Sequence, residues 1–212
     1  MGSAWAIVLA GGSGSRYGGL KQFEDLAGRR VVDWSLAAAR AACDGVVLVV
    51  PPGIQEPGAV AGGTTRSGSV RAGLAAVPDD AEVVLVHDAA RPLAGPDLFA
   101  RAMAAVRAGA DGVIPAVAVT DTIKRVEGQF VAETVDRSTL VAVQTPQAFR
   151  AQMLRDAHAT AGDATDDAGL VESIGGKVVV VEGDRWNLKL TTPEDLVVMK
   201  ALLAHLGDRR GP

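Results

Sequence analysis

The chain has 212 residues, a formal net charge of −4, 48% hydrophobic and 22% charged residues. That length suits one well-buried domain, and the composition is that of an ordinary soluble globular protein. The acidic balance excludes a global basic field for nucleic acid or an anionic membrane, so any phosphate must be held by local cations.

Residues 5–10 form an apolar run that reads as a first buried strand. No basic leader precedes it and no apolar run is long enough to span a bilayer, so no signal peptide or membrane segment is expected. The strand runs into Gly11, Gly12, Ser13, Gly14, Ser15 and Arg16, with Lys21 shortly after. Glycines remove the Cβ atoms that would keep a ligand from backbone N–H groups, and Arg16 and Lys21 add full positive charges. A strand, a phosphate cradle and two cations point to a protein that handles a nucleoside triphosphate. Two other cradles are excluded. Leu20 stands where a P-loop counted from Gly14 needs Lys, and Tyr17 stands where a dinucleotide fingerprint needs Gly or Ala.

Residues 31–42 read as a helix with Val32, Leu36 and Ala39 on one face. The lone Cys43 follows; it excludes an internal disulfide, reads as a buried inert thiol, and sets the expectation of a cytoplasmic protein. A buried strand at 46–50, closed by Pro51 and Pro52, leads into a Gly- and Pro-rich loop at 53–64. Then come a helix at 67–77, a strand at 83–86 ending in His87 and Asp88, a helix at 96–108 with Pro96 in its first turn, and a strand at 113–119. Strand runs without polar alternation imply a sheet covered on both faces, and alternation with helices implies parallel order. The expected fold is α/β, a three-layer, Rossmann-like, mostly parallel sheet.

Residues 120–145 break this rhythm. Segments 122–126 and 130–135, either side of Glu127, Gly128 and Gln129, read as a polar β-hairpin, either solvated or an arm that meets a second subunit. Beyond it the pattern gives a short strand at 141–143, a helix at 150–161, a helix at 166–174 stopped by Gly175 and Gly176, and a strand at 178–181. Thr192, Pro193, Glu194 and Asp195 open a last helix, and a frayed tail is expected from 207. No linker divides the chain, which predicts a single domain over 1–212 with the 120–145 arm inserted in it.

Ligands of open α/β sheets bind outside the carboxyl ends of the strands, and four residue groups fall there. The first is the glycine loop with Arg16 and Lys21. The second is 62–69, where Ser69 either hydrogen-bonds a base or caps the following helix. In the third, 86–92, Asp88 suits a single carboxylate on Mg²⁺ with phosphate oxygens and water completing the octahedron, or a structural salt bridge to Arg91; His87 reads as a core histidine. The fourth is Asn187, Leu188 and Lys189, which returns a cation to the same end of the sheet. No Gly-x-Ser-x-Gly elbow occurs and Cys43 has no His partner nearby in sequence, which disfavours covalent catalysis. Cations with one carboxylate fit direct phosphoryl or nucleotidyl transfer, where positioning and charge neutralisation supply most of the rate.

These motifs stand in order along nearly the whole chain: 9–16, Lys21-Gln22-Phe23, 62–74, 86–92, 121–124, 134–137, 145–149, 165–167, and Lys189 before Thr192-Pro193-Glu194-Asp195. In this the chain resembles the 2-C-methyl-D-erythritol 4-phosphate cytidylyltransferase family of the non-mevalonate isoprenoid pathway. The resemblance implies a nucleotidyltransferase-type fold and transfer of a cytidylyl group from CTP to methylerythritol phosphate, with Mg²⁺ and release of pyrophosphate. It implies that Arg16, Lys21 and Lys189 are the catalytic cations. It places CTP on Ala10, Gly11, Gly12, Gly14, Gly63, Ser69, Asp88 and Ala89, the metal on Asp88, and the acceptor phosphate on Thr122, Arg137, Thr165 and Arg91. It also implies a homodimer joined through the arm. The stretch from Arg16 to Lys21 is shorter than in many relatives, with Gly18, Gly19 and Leu20 where a Pro often precedes the Lys. Two alternatives remain open from the residues: a cytidylyltransferase for another polyol phosphate such as ribitol 5-phosphate, and a non-catalytic nucleotide-binding relative.

Overall fold

A computed structural model describes residues 2–11, 17–160, 162 and 164–209. β1 (Ala4–Leu9) becomes an interior strand of a mixed sheet. A small hairpin, β2 (Asp25–Leu26) and β3 (Arg29–Arg30), turns through Ala27 and Gly28, both at positive φ, and leads into α1 (Val31–Ala42). β4 (Gly45–Val50) pairs parallel with one side of β1, and the short β5 (Val60–Ala61) pairs parallel with β4. α2 (Arg66–Leu74) crosses to β6 (Val83–Asp88), which pairs parallel with the other side of β1. α3 (Pro96–Arg107) then connects to β7 (Gly112–Ala118).

Here the chain leaves the sheet as the hairpin β8 (Ile123–Glu127) and β9 (Phe130–Val135), which bears a bulge at Arg125 and Val126. It returns as β10 (Val141–Val143), antiparallel to the end of β7. β11 (Gln147–Arg150) is wedged antiparallel between β6 and β7. α4 (Ala151–Thr160), α5 (Asp167–Ser173), β12 (Val178–Glu182) and α6 (Pro193–Arg209) complete the chain, with β12 parallel to β7.

The alternation of side chains along β1 explains the three layers. Ala4, Ala6 and Val8 pack against Val32, Leu36 and Ala39 of α1 and Leu98, Phe99 and Ala102 of α3. Ile7 points to the opposite face, with Val70 and Leu74 of α2, Leu154 of α4 and Val171 of α5. Fully burying each such aliphatic side chain is worth about 1.5–3 kcal/mol, so neither face can be left to water. A third, smaller cluster of Leu26, Val31, Ala90, Leu190 and Met199 fastens α6 beside the β2–β3 hairpin.

The sequence reading differs from this fold in a few places. The helix expected from residue 150 begins at Ala151, because residues 147–150 form β11. Ala148 belongs to one core cluster and Phe149 to the other, as a sheet demands, but four residues between a proline and a helix carry no readable period. The β2–β3 hairpin and β5 are too short to show in the sequence. The last helix continues to Arg209 where fraying was expected from 207, and residues 210–212 of that expectation lie outside the described residues; Met199 and Leu203 hold the body of the helix on the third cluster. Thr65, not Ser69, caps α2: its hydroxyl accepts the Gly68 N–H at 3.0 Å. No helix of the described residues is long and apolar enough to cross a membrane.

Candidate active site

The carboxyl ends of β1 and β6, the loop before α2 and the segment before α6 meet around a cleft of about 410 Å³. Among the residues singled out from the sequence, it is lined by Ala10, Gly11, Lys21, Gly63, Ser69, Asp88, Ala89 and Lys189. Gly12, Gly14 and Arg16 lie outside the described residues. Thr122, Arg137, Thr165 and Arg91 do not line the cleft. Thr122 and Arg137 are exposed together at the open end of the β8–β9 hairpin, where Arg137 donates to the Thr120 carbonyl. Thr165 is exposed just ahead of α5.

The cleft floor is stitched together through main-chain groups. Ala89 N–H donates to Leu9 O at 2.9 Å and Ala10 N–H to Val49 O at 2.8 Å, which fixes the ends of β1, β4 and β6 to one another. Buried Gln22 donates to Ala10 O at 2.7 Å and so anchors the turn that carries Lys21. Lys21 Nζ donates to Leu190 O at 2.6 Å, and Leu190 N–H donates to Ala90 O at 2.7 Å. Lys21 and Lys189 are thus delivered by segments that clamp each other.

Lys189 itself reaches Asp88, with Nζ 2.6 Å from Oδ2. Arg66 approaches the other oxygen, with Nε 4.0 Å from Oδ1. Burial works to raise the Asp88 carboxyl, but the charges of Lys189 and Arg66 outweigh it and hold the group below the ordinary carboxylate range. The salt bridge to Arg91 considered from sequence is replaced by these two partners. Arg91 instead donates to the carbonyls of Asn187, at 2.8 Å, and Val143, at 3.3 Å. Those bonds commit its guanidinium to bracing the segment that carries Lys189. Asn187 is fully buried and donates to Thr145 O at 2.9 Å, while Thr145 Oγ1 accepts the Asp88 N–H at 3.0 Å.

His87 is the core histidine expected. It is fully buried, its Nδ1 lies 3.1 Å from Thr145 Oγ1, and burial pushes its pKa down to about 4. Cys43 is inert for a related reason: burial, reinforced by the Asp44 charge, pushes its thiol up to about 12. Trp186 lies outside the cleft lining and stacks on His205 with ring centroids 6.0 Å apart.

The loop before α2 is shaped by close approach. A Cβ on Gly63 would stand 2.9 Å from the Cα and carbonyl carbon of Gly68, and one on Gly62 would stand 2.7 Å from Ser69 Oγ. Ser69 Oγ donates to Thr65 O at 3.0 Å, so the hydroxyl of this cleft-lining residue keeps its capacity to accept a hydrogen bond. Arg66 lines the same cleft and was given no role from sequence. Its signal was there to be read: a cation at the first position of a helix opposes the helix dipole and needs a reason.

No group of three His, Cys, Asp or Glu side chains able to hold a metal ion is present among the described residues. A cation bound mainly through phosphate oxygens and water needs only one or two protein carboxylates, and Asp88 offers one at the cleft.

A sequence model of the family 2-C-methyl-D-erythritol 4-phosphate cytidylyltransferase matches residues 4–205. The chain belongs to that family. It is 50% identical to the 2-C-methyl-D-erythritol 4-phosphate cytidylyltransferase of Rhodococcus opacus, over 93% of this chain and 94% of that one. It is 44% identical to the enzyme of the same name from Rubrobacter xylanophilus, over 100% of this chain and 99% of that one. Among solved structures, the 2-C-methyl-D-erythritol 4-phosphate cytidylyltransferase of Thermus thermophilus superposes with a TM-score of 0.82 at 37% identity, covering 93% of this chain and 98% of that one. The mostly parallel three-layer sheet described above is therefore the nucleotidyltransferase-type fold of this family.

Proposed function

We propose that this chain transfers a cytidylyl group from CTP to 2-C-methyl-D-erythritol 4-phosphate, giving CDP-methylerythritol and pyrophosphate. The observation that carries the reading is the convergence of Lys21, Lys189 and Asp88 with the Gly63–Ser69 loop on one cleft at the carboxyl ends of β1 and β6. An oxygen of the acceptor phosphate attacks the α-phosphorus of CTP. The bond from that phosphorus to the oxygen bridging to the β-phosphorus breaks, and pyrophosphate leaves with the electron pair. Lys21, Lys189 and Arg16 neutralise the charge that builds on the α-phosphate. Charge-assisted hydrogen bonds of this kind are worth about 1.5–3 kcal/mol each. The Gly63 backbone and Ser69 hydroxyl read the cytosine, and Ala10, Gly11 and Ala89 supply walls for ribose and phosphates; Gly12 and Gly14 are proposed to bind the same nucleotide.

Asp88 would hold Mg²⁺, whose charge offsets that of the triphosphate. In the arrangement seen here Lys189 occupies that carboxylate, so arriving phosphates give Lys189 a competing anionic partner.

Thr122 and Arg137, proposed to bind the acceptor phosphate, stand at the base of the arm and do not line the cleft of their own chain. A homodimer, in which each arm serves the neighbouring cleft, accounts for that separation. The apolar side chains left open on the arm, Val126, Phe130 and Val131, support it. We further propose that the chain acts in the cytoplasm as one domain with the 120–145 arm.

The test is pyrophosphate release from CTP and Mg²⁺, with methylerythritol phosphate and ribitol 5-phosphate offered separately. Turnover with methylerythritol phosphate alone is expected; turnover with ribitol 5-phosphate instead would overturn the acceptor, and silence with both would overturn the transferase reading.

A further inference from the structure

Behind Arg66 lies a buried pair with no part in the reaction as written. Asp167, the first residue of α5, has a side chain with no exposure at all. One of its oxygens lies 2.8 Å from Arg66 Nη1, and the other lies 2.9 Å from Nε2 of His158 on α4. With its proton on Nε2, His158 donates to that carboxylate. Burying a carboxylate is expensive unless it is compensated, and here one oxygen is hydrogen-bonded by His158 and the other is ion-paired with Arg66. The helix that carries it is fixed as well. The Asp166 side chain accepts the Gly169 N–H at 3.1 Å and a hydrogen bond from Gln147 of β11 at 3.0 Å, and Ala164 N–H donates to Ser67 Oγ of α2 at 3.3 Å.

From His158 in the protein interior these contacts run to the cleft through four groups of alternating charge: Asp167, Arg66, Asp88 and Lys189. Arg66 is its pivot. It directly follows the Gly63, Thr64 and Thr65 loop, it lines the cleft, and it faces Asp88. Burial opposes its charge, and Asp167 followed by Asp88 more than offsets that.

We propose that Asp167, backed by His158, is a positioning residue for the nucleotide half of the cleft: it locks the Arg66 guanidinium, which in turn fixes the 63–65 loop and keeps a counter-charge on Asp88 when Lys189 turns to phosphate. The inference rests on the nucleotide reading of the cleft given above. An ion pair serving stability alone has no reason to end on a cleft-lining arginine, and an apolar pair would serve as well there.

The experiment is a double-mutant cycle in steady-state kinetics, with Asp167→Asn, Arg66→Gln and the two combined, each checked for folding by near-UV circular dichroism and thermal melting. Wild type turning over CTP is the control: its failure would sink the proposed function and the inference with it, whereas failure of the cycle in an active wild type would sink the inference alone. Asp167→Asn is expected to raise KM for CTP about tenfold to a hundredfold, the loss of one charge-assisted contact, with KM for the acceptor within about threefold of wild type. In the Arg66→Gln background the same step should change KM for CTP by less than about threefold, because Asp167 acts through Arg66. Asp167→Glu, which keeps the charge, should recover most of the loss. Equal effects in both backgrounds would overturn the proposal, as would a lower melting temperature with an unchanged KM for CTP. Should Asp167→Asn alone fail to fold, two variants still decide: the double variant, which removes both charges of the pair, and Arg66→Gln, in which His158 still donates to Asp167; equal KM for CTP supports the proposal, and a higher KM in the double variant overturns it.

Discussion

The cleft floor and the β8–β9 arm are built on opposite principles. The floor is closed by bonds between segments far apart in sequence: Lys21 to Leu190, Arg91 to Asn187, Lys189 to Asp88. The arm is held by its own ladder and by exposed side-chain pairs, such as Arg125 with Glu133 at 3.1 Å, while Phe130 near its tip is 77% exposed. Surface pairs of this kind contribute about 0–1 kcal/mol. The floor is therefore preorganised within one chain, whereas the arm has spare apolar surface and only local support. Charge chemistry suits the first, and contact with a second copy suits the other.

The largest expected effect belongs to the floor. Lys189→Ala should lower kcat about 10²–10³-fold with the fold intact, measured by pyrophosphate release alongside circular dichroism, as for removal of one donor aimed at developing charge. A loss confined to KM would show instead that Lys189 binds substrate and transition state equally.

Acid should attack the floor before it touches the arm. His87 has its pKa depressed to about 4, below the ordinary 6.5, so the unfolded chain takes up this proton first. The stability tied to neutral His87 is complete above about pH 6.5 and is lost as pH falls toward 4. The slope is about 1.4 kcal/mol per pH unit, or about 3 kcal/mol over the window. Asp88, held below its usual value, loses its stabilising pairing only at lower pH, below the carboxylate range. Urea unfolding across this window should show the slope in wild type and a shallower one, by about one proton, in His87→Gln.

A smaller effect is expected from geometry alone. Gly63→Ala puts a methyl group 2.9 Å from the Gly68 backbone and must shift the loop. KM for CTP should rise roughly tenfold with the melting temperature nearly unchanged, a loss of about 1.4 kcal/mol in binding. An unchanged KM would remove this loop from the nucleotide site.

The arm should respond least in stability and most in association. Phe130→Ser is expected to change the stability of the fold by no more than about 0.5 kcal/mol, as for an exposed side chain. It should shift the subunit equilibrium toward monomer in sedimentation velocity. A wild-type chain that sediments as a monomer would break the comparison at its root.

Much of this was legible in the sequence because it depends on local order. The unbroken apolar runs gave β1, β4, β6, β7 and β12, the period of Val32, Leu36 and Ala39 gave α1, and Glu127-Gly128-Gln129 marked the arm. The glycines, Lys21, Asp88 and Lys189 could be named because each follows a strand, and strand ends are where such sheets bind ligands. What stayed hidden was pairing. Nothing near Asp88 in sequence says that its partners are Lys189 and Arg66, because sequence distance carries no information about which strand ends become neighbours. Arg91 looked like the natural partner only because it is close along the chain.

The sequence by itself therefore determined the order of elements, the two-sided core and the chemical types gathered at one end of the sheet, since these follow from hydrophobic period and turn residues. The tertiary structure alone decided the insertion of β11 between β6 and β7, the clamp of Lys21 onto Leu190, and the buried line from His158 through Asp167 to Arg66. Each of these is a through-space choice among hydrogen-bonding and charged groups, made by the cost of leaving any of them buried without a partner.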